Sequence, residues 1–208
     1  MNRRGLRYWT LRAVWAWTYR VESDGIEVGI LWPDENDRNL HIPKVIAALN
    51  LIRQLEPYRY PRLRREVISV NLLGFRFHLL GEWFDPLRMI LLAPDWVQAP
   101  ERKASEIAGV IIHEATHARL HRFGYGEAIR ARIERRCHYE EWRFVVRSPD
   151  AAEFAASVRR SMDRDPKDWT NVRMWEHNLD ALRKLGWPEF AVRILDRLRR
   201  GAVLKANR

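Results

Sequence analysis

The stretch Ile107-Ala108-Gly109-Val110-Ile111-Ile112-His113-Glu114-Ala115-Thr116-His117 decides how the rest of this chain is read. Six residues without a polar side chain run straight into two histidines four apart, with a glutamate after the first. On an α-helix, positions i and i+4 share a face about a turn apart, so both imidazoles reach one point. A helix that is apolar on every side is buried, and a charged cluster on a buried helix needs a partner such as a metal ion. Neutral imidazole suits Zn2+, whose tetrahedral catalytic sites take three protein ligands and leave one position for water. Glu114 lies on an adjacent side of the helix, within reach of a proton of that water. The stretch therefore predicts zinc-dependent hydrolysis, provided a third ligand exists.

Register supplies that ligand. The helix is expected from near Pro100, a residue suited to a first helical turn, to about Arg122. Phe123-Gly124-Tyr125-Gly126 then forms a turn, and Ile129, Ile133, Cys137 and Phe144 recur at helical spacing from Glu127 to about Arg147. So short a turn makes the two helices antiparallel neighbours, in which residues equally far from the turn sit side by side. Position 115 lies midway between His113 and His117, and its mirror image across Gly124 and Tyr125 is Glu134. His138 is a turn beyond that level, roughly 6 Å away at about 1.5 Å per residue, and Glu141 is two turns off. His121 is a turn past His117 on the same helix, where one ion is not easily shared. A closed, structural metal site would need a fourth protein ligand from among His121, Cys137 and His138.

The pattern at 113–117 followed by a glutamate on the next helix resembles the zincin metallopeptidases, specifically the gluzincin type in a compact bacterial form. The resemblance spans about positions 88 to 145. It implies His113, His117 and Glu134 as zinc ligands, Glu114 as general base, and a peptide or protein substrate. In the large gluzincins an Asn precedes the ligand Glu and an Asp follows it. Here Ile133 precedes Glu134 and that helix carries no Asp, so no partner is assigned to orient the metal-bound imidazoles. The resemblance also implies a mixed sheet before the active-site helix, with an edge strand that binds substrate in extended form.

The upstream sequence offers such a sheet. Val67–Leu73 reads as a strand ended by Gly74, Phe75–Leu80 alternates with period two up to Gly81, and Arg88–Ala93 is a short apolar run stopped by Pro94. Ile42–Glu56 is an amphipathic helix expected to begin at Pro43. Asp24-Gly25 is a hairpin signal, and Trp15, Trp17, Tyr19 and Val21 alternate, which favours strands after about Arg12 over a Trp-rich helix. Downstream the chain reads as helical: Pro149 to about Met162, Lys167 to Leu185, and Pro188 to about Arg200. In zincins a His or Tyr from the C-terminal part often stabilises the oxyanion, which makes His177 and Tyr125 candidates for that role.

The fold expected is α+β and zincin-like, a single domain over 1–208: a helix and small mixed sheet in 1–100, the metal-site helical hairpin in 101–147, and helices in 148–208. No apolar run approaches the ~18 residues that cross a bilayer. Arg3, Arg4 and Arg7 precede an apolar stretch, but Arg12 interrupts it and no small-residue cleavage site follows. The single cysteine, Cys137, has no disulfide partner within the chain, which agrees with a cytoplasmic protein. A net charge of +10 invites a nucleic-acid or acidic partner, yet the arginines are spread along helices among Glu and Asp rather than gathered in one tract. The alternative to a hydrolase is thus a metal-binding regulatory module that contacts nucleic acid or an acidic partner through its basic surface.

Overall fold

A computed structural model describes residues 9, 12, 13, 15–31, 33–73, 80–121, 126–184 and 186–206. Among these residues the architecture is α+β, with a small five-stranded mixed sheet and mostly helices. Strands β1 (Thr18–Ser23) and β2 (Ile26–Leu31) form an antiparallel hairpin, with Ser23 paired to Ile26 across a two-residue turn. Asp24 and Gly25 both take positive φ (50° and 80°), the backbone a tight hairpin requires and the reason Asp-Gly signals it. The region before β1 departs from expectation: the residues described at Trp9, Arg12, Ala13, Trp15 and Ala16 are helical, and the strand starts only at Thr18.

Strands β3 (Ser69–Leu72) and β5 (Met89–Leu92) continue the sheet in parallel, and β4 (Gly81–Phe84) closes it antiparallel to β5, giving the order β1-β2-β3-β5-β4. The expected strand over Phe75–Leu80 lies outside the described residues except for Leu80, whose carbonyl accepts from the Ala93 N–H (3.0 Å). Val28, Ile30, Val70, Leu72, Ile90 and Leu92 face the main core, whereas Leu73, Phe84, Met89 and Leu91 join a smaller cluster with Trp15. Period-two alternation on inner strands thus buries both faces of the sheet.

Helices fill the larger core. Helix α1 (Glu35–Leu55) contributes Val45, Leu49 and Ile52, all fully buried. It begins two turns before Pro43, because Asp34 caps it by accepting from the Asp37 N–H (2.7 Å), so Pro43 stands inside the helix rather than at its start. Short helices α2 (Tyr60–Glu66) and α3 (Pro94–Gln98) flank the sheet connections. Helix α4 (Ala104–His121) lies between α1 and β4 on one side and α5 (Glu127–Val145) on the other, which is why Ile107 to Ala115 are buried throughout. It starts four residues after Pro100. Helix α6 (Ala152–Met162) packs on α5, and a 3-10 turn (Pro166–Trp169) follows where an α-helix from Lys167 was expected. Helices α7 (Asn171–Lys184) and α8 (Glu189–Ala206) form a final hairpin around Leu179, Leu182 and Val192. Among the described residues no helix is long and apolar enough to cross a membrane.

Candidate metal centre

Burial brings the titratable groups of α4 and α5 face to face. His113 Nε2 lies 3.2 Å from His117 Nε2, and Glu134 Oε2 lies 3.7 Å from the first and 3.4 Å from the second. Three donor atoms thus form a near-equilateral triangle. Donors about 2.0–2.1 Å from one tetrahedral ion stand roughly 3.3 Å apart, so the triangle fits Zn2+ without rearrangement. The antiparallel register places Glu134 opposite the His113–His117 pair, where mirror counting across the turn expects it. All three side chains are nearly sealed from solvent, 10–12% exposed.

The orienting partner absent from the sequence reading is Glu141, two turns along α5 from Glu134. His113 Nδ1–H donates to Glu141 Oε2 (2.9 Å), and His138 Nδ1–H donates to the same oxygen (2.9 Å). Burial alone would raise the Glu141 carboxyl, but the two imidazoles outweigh it and hold the group down at about 2. An ionised carboxylate only accepts, so Glu141 holds a proton on His113 Nδ1, and Nε2 is the nitrogen that faces the triangle. The His138 ring lies 4.5 Å from that of His113 and 5.2 Å from that of Trp169, and His113, His138 and Glu141 form a second grouping whose nitrogen and oxygen atoms lie within 4.8 Å of one another.

Electrostatics within the cluster follow from the same contacts. Burial opposes charge on both His113 and Glu134, yet the pair prevails: with Glu134 and Glu141 beside it His113 is raised well above the ordinary imidazole value, and Glu134 is lowered. Glu114 goes the other way. Buried, and next to Glu134 and Glu82, it is raised despite the neighbouring imidazoles. Strand β4 lies directly against it: a Cβ on Gly81 would stand 3.1 Å from Glu114 Cγ and 3.2 Å from Glu114 Oε1. Only glycine admits so close a strand–helix approach. Cys137, fully buried one turn after Glu134, has its sulfur within 4.8 Å of the ligand nitrogens of His113 and His117, and burial pushes its thiol up.

Other candidates are not gathered here. His177 is exposed on α7, and no hydrogen bond or ion pair among the described residues joins it to the triangle. Tyr125 lies outside the described residues, as does the side chain of His121. No family model, curated protein or solved structure matches the chain.

Proposed function

We propose that the protein is a zinc-dependent hydrolase, most simply a metallopeptidase of zincin-like, gluzincin-type construction. The observation that carries this reading is the triangle of His113 Nε2, His117 Nε2 and Glu134 Oε2 with edges of 3.2–3.7 Å. Zn2+ held there supplies Lewis acidity and lowers the pKa of a water it binds to about 7. Glu114, buried beside the triangle and raised in pKa, takes a proton from the attacking water and passes it to the leaving amine. Glu141 accepts the His113 Nδ1 proton, so that Nε2 is the nitrogen presented to the ion. Strand β4 runs past Glu114 and forms a wall beside the triangle.

Glu114→Gln is expected to keep one zinc per chain, measured by elemental analysis, while hydrolysis of a mixed peptide library falls at least 100-fold. Undiminished turnover in that variant would refute the general-base assignment. Glu134→Ala is expected to lose the metal, and full zinc occupancy would remove the third ligand.

The position of Cys137 favours a second reading, a closed structural centre in which its sulfur is the fourth ligand. Cobalt substitution separates the two. An intense near-ultraviolet sulfur-to-metal charge-transfer band that disappears in Cys137→Ser belongs to the closed centre, and its absence belongs to the open one.

A further inference from the structure

Helix α5 sorts its charges by sign. Its described carboxylates are turned inward, with Glu134 at the triangle, Glu141 4% exposed and Glu140 1% exposed. Its outer face carries Arg132, Arg135, Arg136 and Arg143, followed by Arg147 just past the helix end. Two inward acids gather the cations. Glu140 accepts from Arg59 (2.6 Å) and Arg136 and stands 3.4 Å from Arg143 and 3.8 Å from Arg119, while Glu56 accepts from Arg143 (3.3 Å) and Arg147 and stands 3.4 Å from Arg59. Five guanidiniums share two carboxylates, an excess of three positive charges.

Aromatic rings are interleaved with these cations. Arg136 lies over the ring of Tyr139 (5.3 Å), Tyr139 neighbours Trp142 (6.3 Å), and Arg159 of α6 lies over Trp142 (5.7 Å). Tyr139 is 40% exposed, so this is an outward-facing platform rather than a core contact. From Arg132 to Arg147 the stripe is about 22 Å long at about 1.5 Å per residue. Five cations lie along it, and less the two carboxylates that pair with them, Glu140 and Glu56, they leave three net positive charges, roughly half the charge density of one nucleic-acid strand.

We propose that this face of α5, with Arg59 and Arg159 at its margins, binds single-stranded nucleic acid. Guanidinium forks match phosphate oxygens in pairs, and the buried carboxylates hold the forks in place before a ligand arrives. Tyr139 offers a stacking surface that any base can use. An acidic polypeptide would satisfy the cations but leave the aromatic platform without a purpose. This face lies on the other side of α5 from the triangle, so the proposal is independent of the metal reading.

The test is fluorescence anisotropy of the full chain with a labelled 20-nucleotide DNA strand over a series of salt concentrations. Wild type is expected to bind with a steep salt dependence. Arg132→Ser/Arg136→Ser/Arg143→Ser is expected to weaken binding at least tenfold and flatten the slope of log K against log salt by about two, at roughly 0.7 for each phosphate no longer neutralised. Arg136 and Arg143 also brace Glu140, so Arg132→Ser/Tyr139→Ala, which leaves those ion pairs intact, is measured beside it and is expected to bind about tenfold more weakly. An unchanged slope in the first variant, or unchanged affinity in the second, overturns the proposal. So does displacement of the strand by polyglutamate at equal charge concentration, which would assign the face to an acidic polypeptide.

Discussion

Glu141 receives two imidazole protons on a single oxygen, and that sharing governs how firmly His113 is aimed. Removing the charge while keeping the shape, as in Glu141→Gln, is expected to weaken zinc binding about 10–100-fold in a competition titration against a chromophoric chelator, with the circular dichroism spectrum unchanged. Unaltered affinity would mean that His113 is oriented by packing alone. Gly81 is the second residue on which the site turns. Gly81→Ala puts a methyl 2.7 Å from Val110 Cγ1 and close to the Glu114 carboxylate, so β4 and α4 must part. Hydrolysis is expected to fall at least tenfold with zinc content maintained, and retained activity would show that the strand–helix spacing is not used. The two histidines, Glu114 and Glu134 were legible in the sequence because a helical repeat and a short turn define where they meet. Glu141, two turns along α5 from Glu134, reads from spacing alone as too distant to join them. Yet the far nitrogen of His113 points that way along α5, and a search deeper than the ligand level would have found it.

At the scale of elements, the inward and outward faces of α5 carry opposite charge, and its seating against α4 decides whether either face is formed. Phe144 and Val145 anchor it in the main core, and Phe144 is 1% exposed. Phe144→Ala is expected to cost about 3–5 kcal/mol of unfolding free energy in a urea titration. A loss under about 1 kcal/mol would show that α5 is held by its ion pairs instead. Counting arginines and glutamates along the sequence made this helix look electrically balanced, because linear proximity says nothing of which side chain faces water. Burial of Glu140 and Glu141 is what leaves the outer face basic. Pro43 misled in a related way. A proline reads as a helix start, but the capping side chain of Asp34 lies upstream of it and carries the helix through. The strands and the Asp-Gly turn were plain, since alternation and positive φ are local properties. The sheet order was not, because pairing of β2 with β3 and of β3 with β5 is fixed only when helices cross between them.

For the whole molecule, protonation of the buried cluster ties stability to pH, and the proposed metal would compete with those protons. Without a cation, Glu134 and Glu141 lie below their ordinary values, so they stabilise the fold above about pH 4.5 and cease to do so as pH falls. His113 lies above its ordinary value, so its contribution is complete below about pH 6.5 and is lost as pH climbs through the raised value. The metal-free cluster is therefore best satisfied in mild acid between those limits. A cation at the triangle needs the His113 Nε2 lone pair, and hence removal of the second imidazole proton, which becomes easier as pH rises. The stabilisation from zinc should grow in the direction in which the proton-held cluster weakens. At free zinc about 100-fold above Kd the gain is about 2.7 kcal/mol, and for a chain of this size that is about 5–10 °C in Tm. Thermal unfolding of zinc-saturated and chelator-treated protein is expected to show little difference at pH 5 and a gap of that order at pH 8. A gap of constant width across this range would mean that the stabilising ion does not compete with a proton on His113, and the three-donor site would have to be rebuilt without it.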